Sequence, residues 1–512
     1  MHASIRKRFI FSVLINFLRG ILGFFTGIFL ARFLGPDSYG DMAFLMGSFM
    51  GILSLLNMGS TSAFFTFLSQ ENRSKKFVSS FFVWLAIQFF LTLIVIGFFF
   101  PDQWIKSIWL GQKLSLILLA FIAIFFQGTV WSTMQHLGES QRKTFLVQSV
   151  SLGISLIHLV SLVLLWFNDL LGLYAIFIII FIEYLIVAIF LYREYSFKKN
   201  NAIEDINNKN QPIITKYFNY CLPLIPYAWV GFAYIFIDRW LLQYYGGNVE
   251  QAYYAIAAQF AAVALIFTSS IMRIFWKEIS EAKAQGNKKK IKRLYKKISR
   301  VLFLVSAIIV GFLMPWTEVI VSKMLGEAYQ GGVVTLAIML LYPIYQSMGQ
   351  ITGTMLYASE HILHKSIIGI VFMLLSMVAA YFILAPNNSR IPGFGLGSEG
   401  LAMKMVLMQF IQVNITAYVI ARKWSWSFDW IYQFIGLLGC LSIGWFVNSL
   451  AVAIQGDNIP WFITLFVSGI FYMLLIFSFI YILPWLINMN RGEINLGLKI
   501  ITQRYIISFL NK

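Results

Sequence analysis

The sequence predicts an all-α integral membrane protein. It should have about fourteen transmembrane helices, in two pseudo-symmetric six-helix lobes plus two extra C-terminal helices. Three observations predict this. Hydrophobic residues make up 59% of the 512-residue chain and charged residues only 12%, about half the charged share of a soluble domain. Apolar runs of about 20 residues, the length that crosses a bilayer, recur from one end to the other. Lysine and arginine gather in alternate loops between those runs, as the positive-inside rule requires.

The runs follow in order. Arg6, Lys7 and Arg8 precede the first, Phe9 to Leu34. It is too long for a signal-peptide core of about 7–15 residues, and no small-residue cleavage site follows. It therefore reads as the first span. The others of the first half are 42–68, 77–100, 114–135, 145–167 and 171–192. The second half gives 217–243, 253–275, 301–322, 332–357, 366–386 and 400–421. Two more, 431–454 and 461–484, contain no Asp, Glu, Lys or Arg. An even count puts both termini on one side. That side and its loops hold 31 of the 39 Lys and Arg residues, so it should be the cytoplasm. The largest such loop, Trp276 to Arg300, carries Lys288, Lys289, Lys290, Lys292, Arg293, Lys296 and Lys297, and should meet anionic lipid headgroups.

The net charge of +18 thus comes from topology and does not point to nucleic acid. Cys221 and Cys440 are the only cysteines, so neither a disulfide scaffold nor a metal site is expected. No phosphate-binding Gly-rich loop, nucleophile elbow or acidic metal cluster occurs, and the outer loops are too short for a catalytic domain. Neither a catalytic residue nor a cofactor is expected.

Two turns look alike. Phe33-Leu34-Gly35-Pro36-Asp37-Ser38-Tyr39 closes the first span, and Tyr244-Tyr245-Gly246-Gly247-Asn248-Val249-Glu250 the seventh. Six spans separate them, which gives parallel repeats and the pattern of a two-lobed transporter. The expected divisions are an N-lobe at 1–195, a cytoplasmic linker at 196–216 and a C-lobe at 217–425. The last two helices and a basic tail occupy 426–512.

Ionisable residues within spans are costly and usually mark function. They are Arg19, Glu183, Asp238, Arg239 and Lys404, with His158 titratable and Arg32 near an interface. Asn16, Arg19, Gly20, Gly23, Thr26 and Gly27 share one face of the first helix. That face is a cavity wall or a small-residue packing seam. Tyr220, Pro223, Tyr227, Gly231, Tyr234 and Asp238 share a face of the seventh, either a sugar-contacting wall or a packing seam. Gln346, Gln350, Gly353 and Tyr357 line one face of the tenth, either a seam of hydrogen bonds between helices or part of a cavity wall.

Leu30-Ala31-Arg32-Phe33-Leu34-Gly35-Pro36-Asp37-Ser38-Tyr39-Gly40, followed by Leu55-Leu56-Asn57-Met58-Gly59-Ser60, resembles the opening signature of the polysaccharide biosynthesis transporters, which include the O-antigen flippases called Wzx. Asp238-Arg239 before Gly246 is similar to the start of that family's second lobe. Leu325-Gly326-Glu327-Ala328-Tyr329 looks like its motif after the ninth span, and Gly393-Phe394-Gly395 with Gly400-Leu401-Ala402 its approach to the twelfth. Gly247 stands where the family usually has Pro.

The resemblance runs through the whole chain. It implies a member of the multidrug/oligosaccharidyl-lipid/polysaccharide exporter superfamily, in a bacterial cytoplasmic membrane. The implied substrate is a polyprenyl-diphosphate-linked oligosaccharide, moved by alternating access for O-antigen, capsule or exopolysaccharide synthesis. A polymerase and glycosyltransferases are the implied partners. For such a substrate, Arg19, Arg32, Arg239 and Lys404 are the candidates to hold diphosphate, because a guanidinium fork bonds two phosphate oxygens. Tyr227 and Tyr234 are candidates to stack on sugar. Glu183 and Asp238 are candidates for ion coupling. Two other readings stay open: a cation-coupled drug exporter of the same superfamily, and a membrane glycosyltransferase or polymerase.

Overall fold

A computed structural model describes residues 5–70, 75–195, 213–358, 362–454, 460–493 and 495. The expected linker falls outside these as far as residue 212. Among the described residues the protein is nearly all helix and contains no strand. The first half comprises α1 (Ile5–Asn57), α2 (Ser60–Gln70), α3 (Lys75–Ile94), the short α4 (Asp102–Ile108), α5 (Leu114–Phe125), α6 (Trp131–Ser140), α7 (Thr144–Phe167) and α8 (Leu173–Glu194). Then follow α9 (Ile213–Cys221), α10 (Ile225–Ala284), α11 (Lys288–Leu313), the short α12 (Thr317–Ile320) and α13 (Val333–Met339), and α14 (Tyr342–Ala358). The chain continues through α15 (Ile362–Leu384), α16 (Gly397–Lys423), α17 (Ile431–Ile454) and α18 (Trp461–Ile482).

Twelve helical runs are long and apolar enough to cross a membrane. Two of them, of 47 and 51 residues, break at a glycine. At about 1.5 Å per residue each exceeds two crossings of a core about 30 Å thick. The twelve runs therefore supply the fourteen crossings expected. The breaks fall at the two repeated turns. Gly35 has φ 73°, ψ 167° and Gly247 has φ 80°, ψ −174°, a region open essentially to glycine alone. Pro36 then starts the next helix with the φ that a first helical position wants. The turns also meet, since a side chain on Gly40 would collide with the carbonyl of Asn248. Two π-helical turns, Val95–Phe99 and Val321–Leu325, end the third and ninth crossings.

The described residues form two compact units. One falls within Met1–Ile256 and Ile370–Leu401, the other within Ala257–Gly369 and Ala402–Lys512.

In the first unit α1 lies along α7 and α5 packs on α8. The α1–α2 junction shows how a break inside a membrane is satisfied. Met58 (φ 42°) and Gly59 (φ 84°) end α1 and release its last carbonyls. Gln88 Nε2 donates to Leu56 O at 2.7 Å, and Asn57 Oδ1 accepts the Thr61 N–H at 3.0 Å, starting α2. Phe64 stacks on Phe81 with ring centres 4.0 Å apart.

The second unit is built on α11, which packs against α14 and α17. Gly311 and Gly444 allow the backbones of α11 and α17 to touch. The Tyr472 hydroxyl of α18 lies 3.0 Å from Ile308 O and 3.3 Å from Cys440 O. At the cytoplasmic end expected from sequence, Arg300 is bonded to Asp429 and the Trp485 carbonyl, and lies 4.9 Å from the Tyr432 ring centre. Arg293 pairs with Glu493 at 2.8 Å. The two uncharged helices are thus fastened to α11 at both ends of their contact, by glycine backbone contact in the apolar region and by ion pairs just outside it.

Candidate functional site

The candidate site is assembled in the first unit on α1. Its polar face starts with Ser12, whose Oγ lies 3.4 Å from Asn16 Nδ2. Asn16 Oδ1 in turn accepts from Arg19 Nη1 at 3.4 Å. Thr26 returns its hydroxyl to Leu22 O at 2.8 Å and so adds little polarity of its own. Arg19 is half-buried, and its Nε is buried without a hydrogen-bond partner among the described residues. One long bond to an amide does not satisfy a guanidinium with five donors. An incompletely paired cation in low dielectric is costly until an anion arrives.

Arg19 is not alone on its face. The Tyr184 phenol of α8 is an electrostatic neighbour of Arg19, and the Gln127 side chain lies near that phenol. Gln127 sits in the π-helical turn Phe126–Val130 between α5 and α6. A π turn widens a helix by one residue and re-aims the side chains it carries. Neither residue was a sequence candidate. The available signal was Gln127-Gly128 as a polar break in an otherwise apolar run.

Glu183 lies beside Tyr184. Its Oε2 is 2.8 Å from His158 Nδ1, and its Oε1 is buried with no partner among the described residues. The side chains are 9% and 18% exposed, respectively. A buried carboxylate with one bare oxygen is under-solvated. Such a pair can hold a proton on either member, which suits a site of ion exchange.

Arg239 has a setting of its own at the end of the first half of α10. Its guanidinium is 4.9 Å from the Tyr254 ring centre. Its stem runs over Gly47, where a methyl would come within 3.2 Å of Arg239 Cγ. Tyr39 is an electrostatic neighbour. Arg239 Nη1 is buried and unbonded among the described residues. Beyond it Gln243 Nε2 donates to Asp41 Oδ1 at 3.2 Å and also to Asn248. Glu250 accepts the Ser398 N–H at 2.7 Å, capping α16.

The remaining candidates are dispersed. Arg32 is exposed, Tyr227 is exposed and Tyr234 half-buried. Asp238 is 6% exposed. All four have interaction partners of their own. Lys404 is 1% exposed, lies in the second unit and is likewise engaged. The structure therefore sets Tyr184 near Arg19, pairs Glu183 with His158, and sets Arg239 against two tyrosines. No group of three or more metal-ligating side chains occurs among the described residues.

A family model described as Polysaccharide biosynthesis protein matches residues 5–275. Among curated proteins, none matches significantly. The fold is similar to that of the lipid II flippase MurJ in an inward closed conformation, with a TM-score of 0.69 at 15% identity. That match covers 92% of this chain and 99% of the other. A multidrug resistance MATE family transporter of the MOP superfamily, inward-facing, gives 0.61 at 14% identity over 81% of this chain and 98% of its own. A MOP superfamily transporter from Pyrococcus furiosus Vc1, described by the reverse polarity of its binding pocket, gives 0.53 at 13% identity. It covers 83% and 97% of the two chains.

Proposed function

Because this chain belongs to the polysaccharide biosynthesis protein family, we propose that it is a flippase for a polyprenyl-diphosphate-linked oligosaccharide. It would carry the repeat unit of a surface polysaccharide outward across the bacterial cytoplasmic membrane, with both termini cytoplasmic. The observation that carries this reading is Arg19: a half-buried guanidinium on a small, polar helix face, with a buried Nε left unbonded. A diphosphate offers the oxygens that this fork lacks. Arg239, whose Nη1 is likewise unbonded, is the second anchor. Arg32 and Lys404 are further cations in the same role. Tyr227 and Tyr234 supply rings for sugar stacking.

A drug exporter would need an acidic cavity for cationic drugs. The first unit instead offers two incompletely bonded arginines, while Glu183 already faces His158. Ion coupling, where it operates, falls to Glu183 or Asp238. Polymerases and glycosyltransferases of the same pathway would supply and consume the substrate.

Arg19→Ala and Arg239→Ala should each abolish surface polysaccharide in cells while the protein still inserts at normal level. Normal polysaccharide in both variants overturns the proposed site. Export of drugs from a sensitised host, with polysaccharide unaffected by deletion of the chain, would overturn the proposed substrate.

A further inference from the structure

The second unit contains a polar feature that the reading above leaves unused. In α14 the residues Ile344, Tyr345, Ser347, Met348, Ile351, Thr352, Thr354, Met355 and Leu356 are all buried. On the same helix Gln346, Gly349 and Gln350 are partly exposed and Tyr357 is exposed. They recur at intervals of three, one and seven residues, which places them on one helix face. A membrane helix that turns a face to lipid shows hydrocarbon there. This one buries its hydrocarbon and leaves its amides partly exposed. Hydrogen bonding between helices does not explain such a face, because the glutamines are only partly covered.

The face is headed by a cation. Lys365, in the first turn of α15, folds back across α14 so that its Nζ lies 4.0 Å from the Tyr357 ring centre. It crosses at Gly353. A methyl there would come within 3.0 Å of Lys365 Nζ and 3.1 Å of its Cε. Glycine at 353 is thus what lets the lysine lie flat on the helix. No carboxylate among the described residues lies within ion-pair distance of Lys365. The ammonium is therefore positioned by an aromatic ring and a glycine, with no carboxylate paired to it among the described residues. From it, Gln350 and Gln346 continue one and two turns deeper into the same helix.

We propose that Lys365, with Tyr357, Gln350 and Gln346, forms an anion-docking track in the second unit, and that the track receives the diphosphate of the lipid-linked substrate at the cytoplasmic mouth. Lysine meets phosphate as a point charge and tolerates several poses, which suits first capture. The amides then offer donors to phosphate or sugar oxygens as the headgroup moves inward. This assignment rests on the flippase reading for the identity of the anion. A phospholipid phosphate has the same chemistry, so the experiment must separate the two.

The full chain in nanodiscs is titrated with farnesyl diphosphate, farnesol and phosphatidylglycerol. The wild type should bind farnesyl diphosphate and not farnesol. Lys365→Ala should weaken that binding about tenfold or more, Lys365→Arg should retain it, and Gln350→Leu should fall between. Gly353→Val, which displaces the lysine without removing its charge, should match Lys365→Ala. Melting curves close to wild type ensure that a loss is local. Unchanged farnesyl diphosphate binding in Lys365→Ala and Gln350→Leu overturns the track and leaves the flippase reading intact. Loss of phosphatidylglycerol binding alone in Lys365→Ala also overturns it, by making the site one for bulk lipid. Absence of farnesyl diphosphate binding in the wild type overturns the flippase reading itself.

Discussion

Arg19 separates two ways in which a cation can serve a phosphate. If its charge alone matters, lysine should substitute; if the planar fork matters, it should not. The Asn16 amide at 3.4 Å steers one end of the guanidinium and the Tyr184 phenol faces it from α8, so orientation is built in. Arg19→Lys should therefore lower headgroup transfer in vesicles by about tenfold or more, the loss expected of a bidentate contact reduced to a single one. Tyr184→Phe, which keeps the ring and removes the hydroxyl, should give a smaller fall. A lysine variant transferring at the wild-type rate would show that orientation is irrelevant. The His158–Glu183 pair makes a separate claim. With 2.8 Å between them and one carboxylate oxygen unbonded, Glu183→Gln should abolish any response of transport to an imposed pH gradient. An unchanged gradient response would remove Glu183 from the coupling scheme and leave Asp238.

At the scale of the elements, the helices were legible and their fastenings were not. Hydropathy reports membrane crossings because one residue property decides them, and Gly35 and Gly247 mark the breaks because few other residues adopt that backbone. The setting of Arg19 was hidden because Tyr184 approaches it from α8, a helix distant in sequence. The seating of α17 and α18 was hidden for the same reason. Those helices looked like plain additions, yet Gly311, Gly444 and Tyr472 lock them to α11. Gly311→Ala should push on the Cys440 carbonyl and cost about 1–3 kcal/mol, as overpacking does, and should be read as a lower apparent melting temperature in detergent. The Arg293–Glu493 tie should respond to pH. Glu493 accepts the Asn490 N–H at 3.2 Å, and with Lys297 and Arg293 nearby its carboxyl is held below the usual carboxylate range. A lowered folded-state value means that the tie contributes above the ordinary carboxylate value, and is lost as pH falls through the lowered one. Proteolysis after α18 should accelerate only in acid below about pH 4, judged against the free glutamate value. Arg293→Ala should bring that rate to neutral pH.

At the scale of the whole molecule, the proposed function raises the question of what would drive a headgroup outward. For that function the membrane potential is one source, and an ion gradient acting through Glu183 or Asp238 is the other. An elementary charge crossing 100 mV is worth about 2.3 kcal/mol. A diphosphate carrying two negative charges would gain about 4.6 kcal/mol on leaving a negative cytoplasm, if nothing travels with it. At about 1.4 kcal/mol per decade this biases the distribution about a thousandfold outward. Each proton or sodium ion that accompanies the substrate removes one charge from that product, and each that returns inward adds one. Arginines holding the diphosphate as proposed would be consistent with net anion movement, because they would stay with the protein and lower the barrier without cancelling the charge that crosses. Transfer in proteoliposomes should therefore rise steeply with an imposed potential and collapse when valinomycin and potassium remove it. The steepness counts the charge: about two charges for bare diphosphate, about one if Glu183 or Asp238 sends a proton along. In Glu183→Gln the slope should return to two if Glu183 carries that proton. A transfer rate indifferent to potential in both proteins would mean that the headgroup crosses electroneutrally, and the potential would have to be abandoned as its driving force.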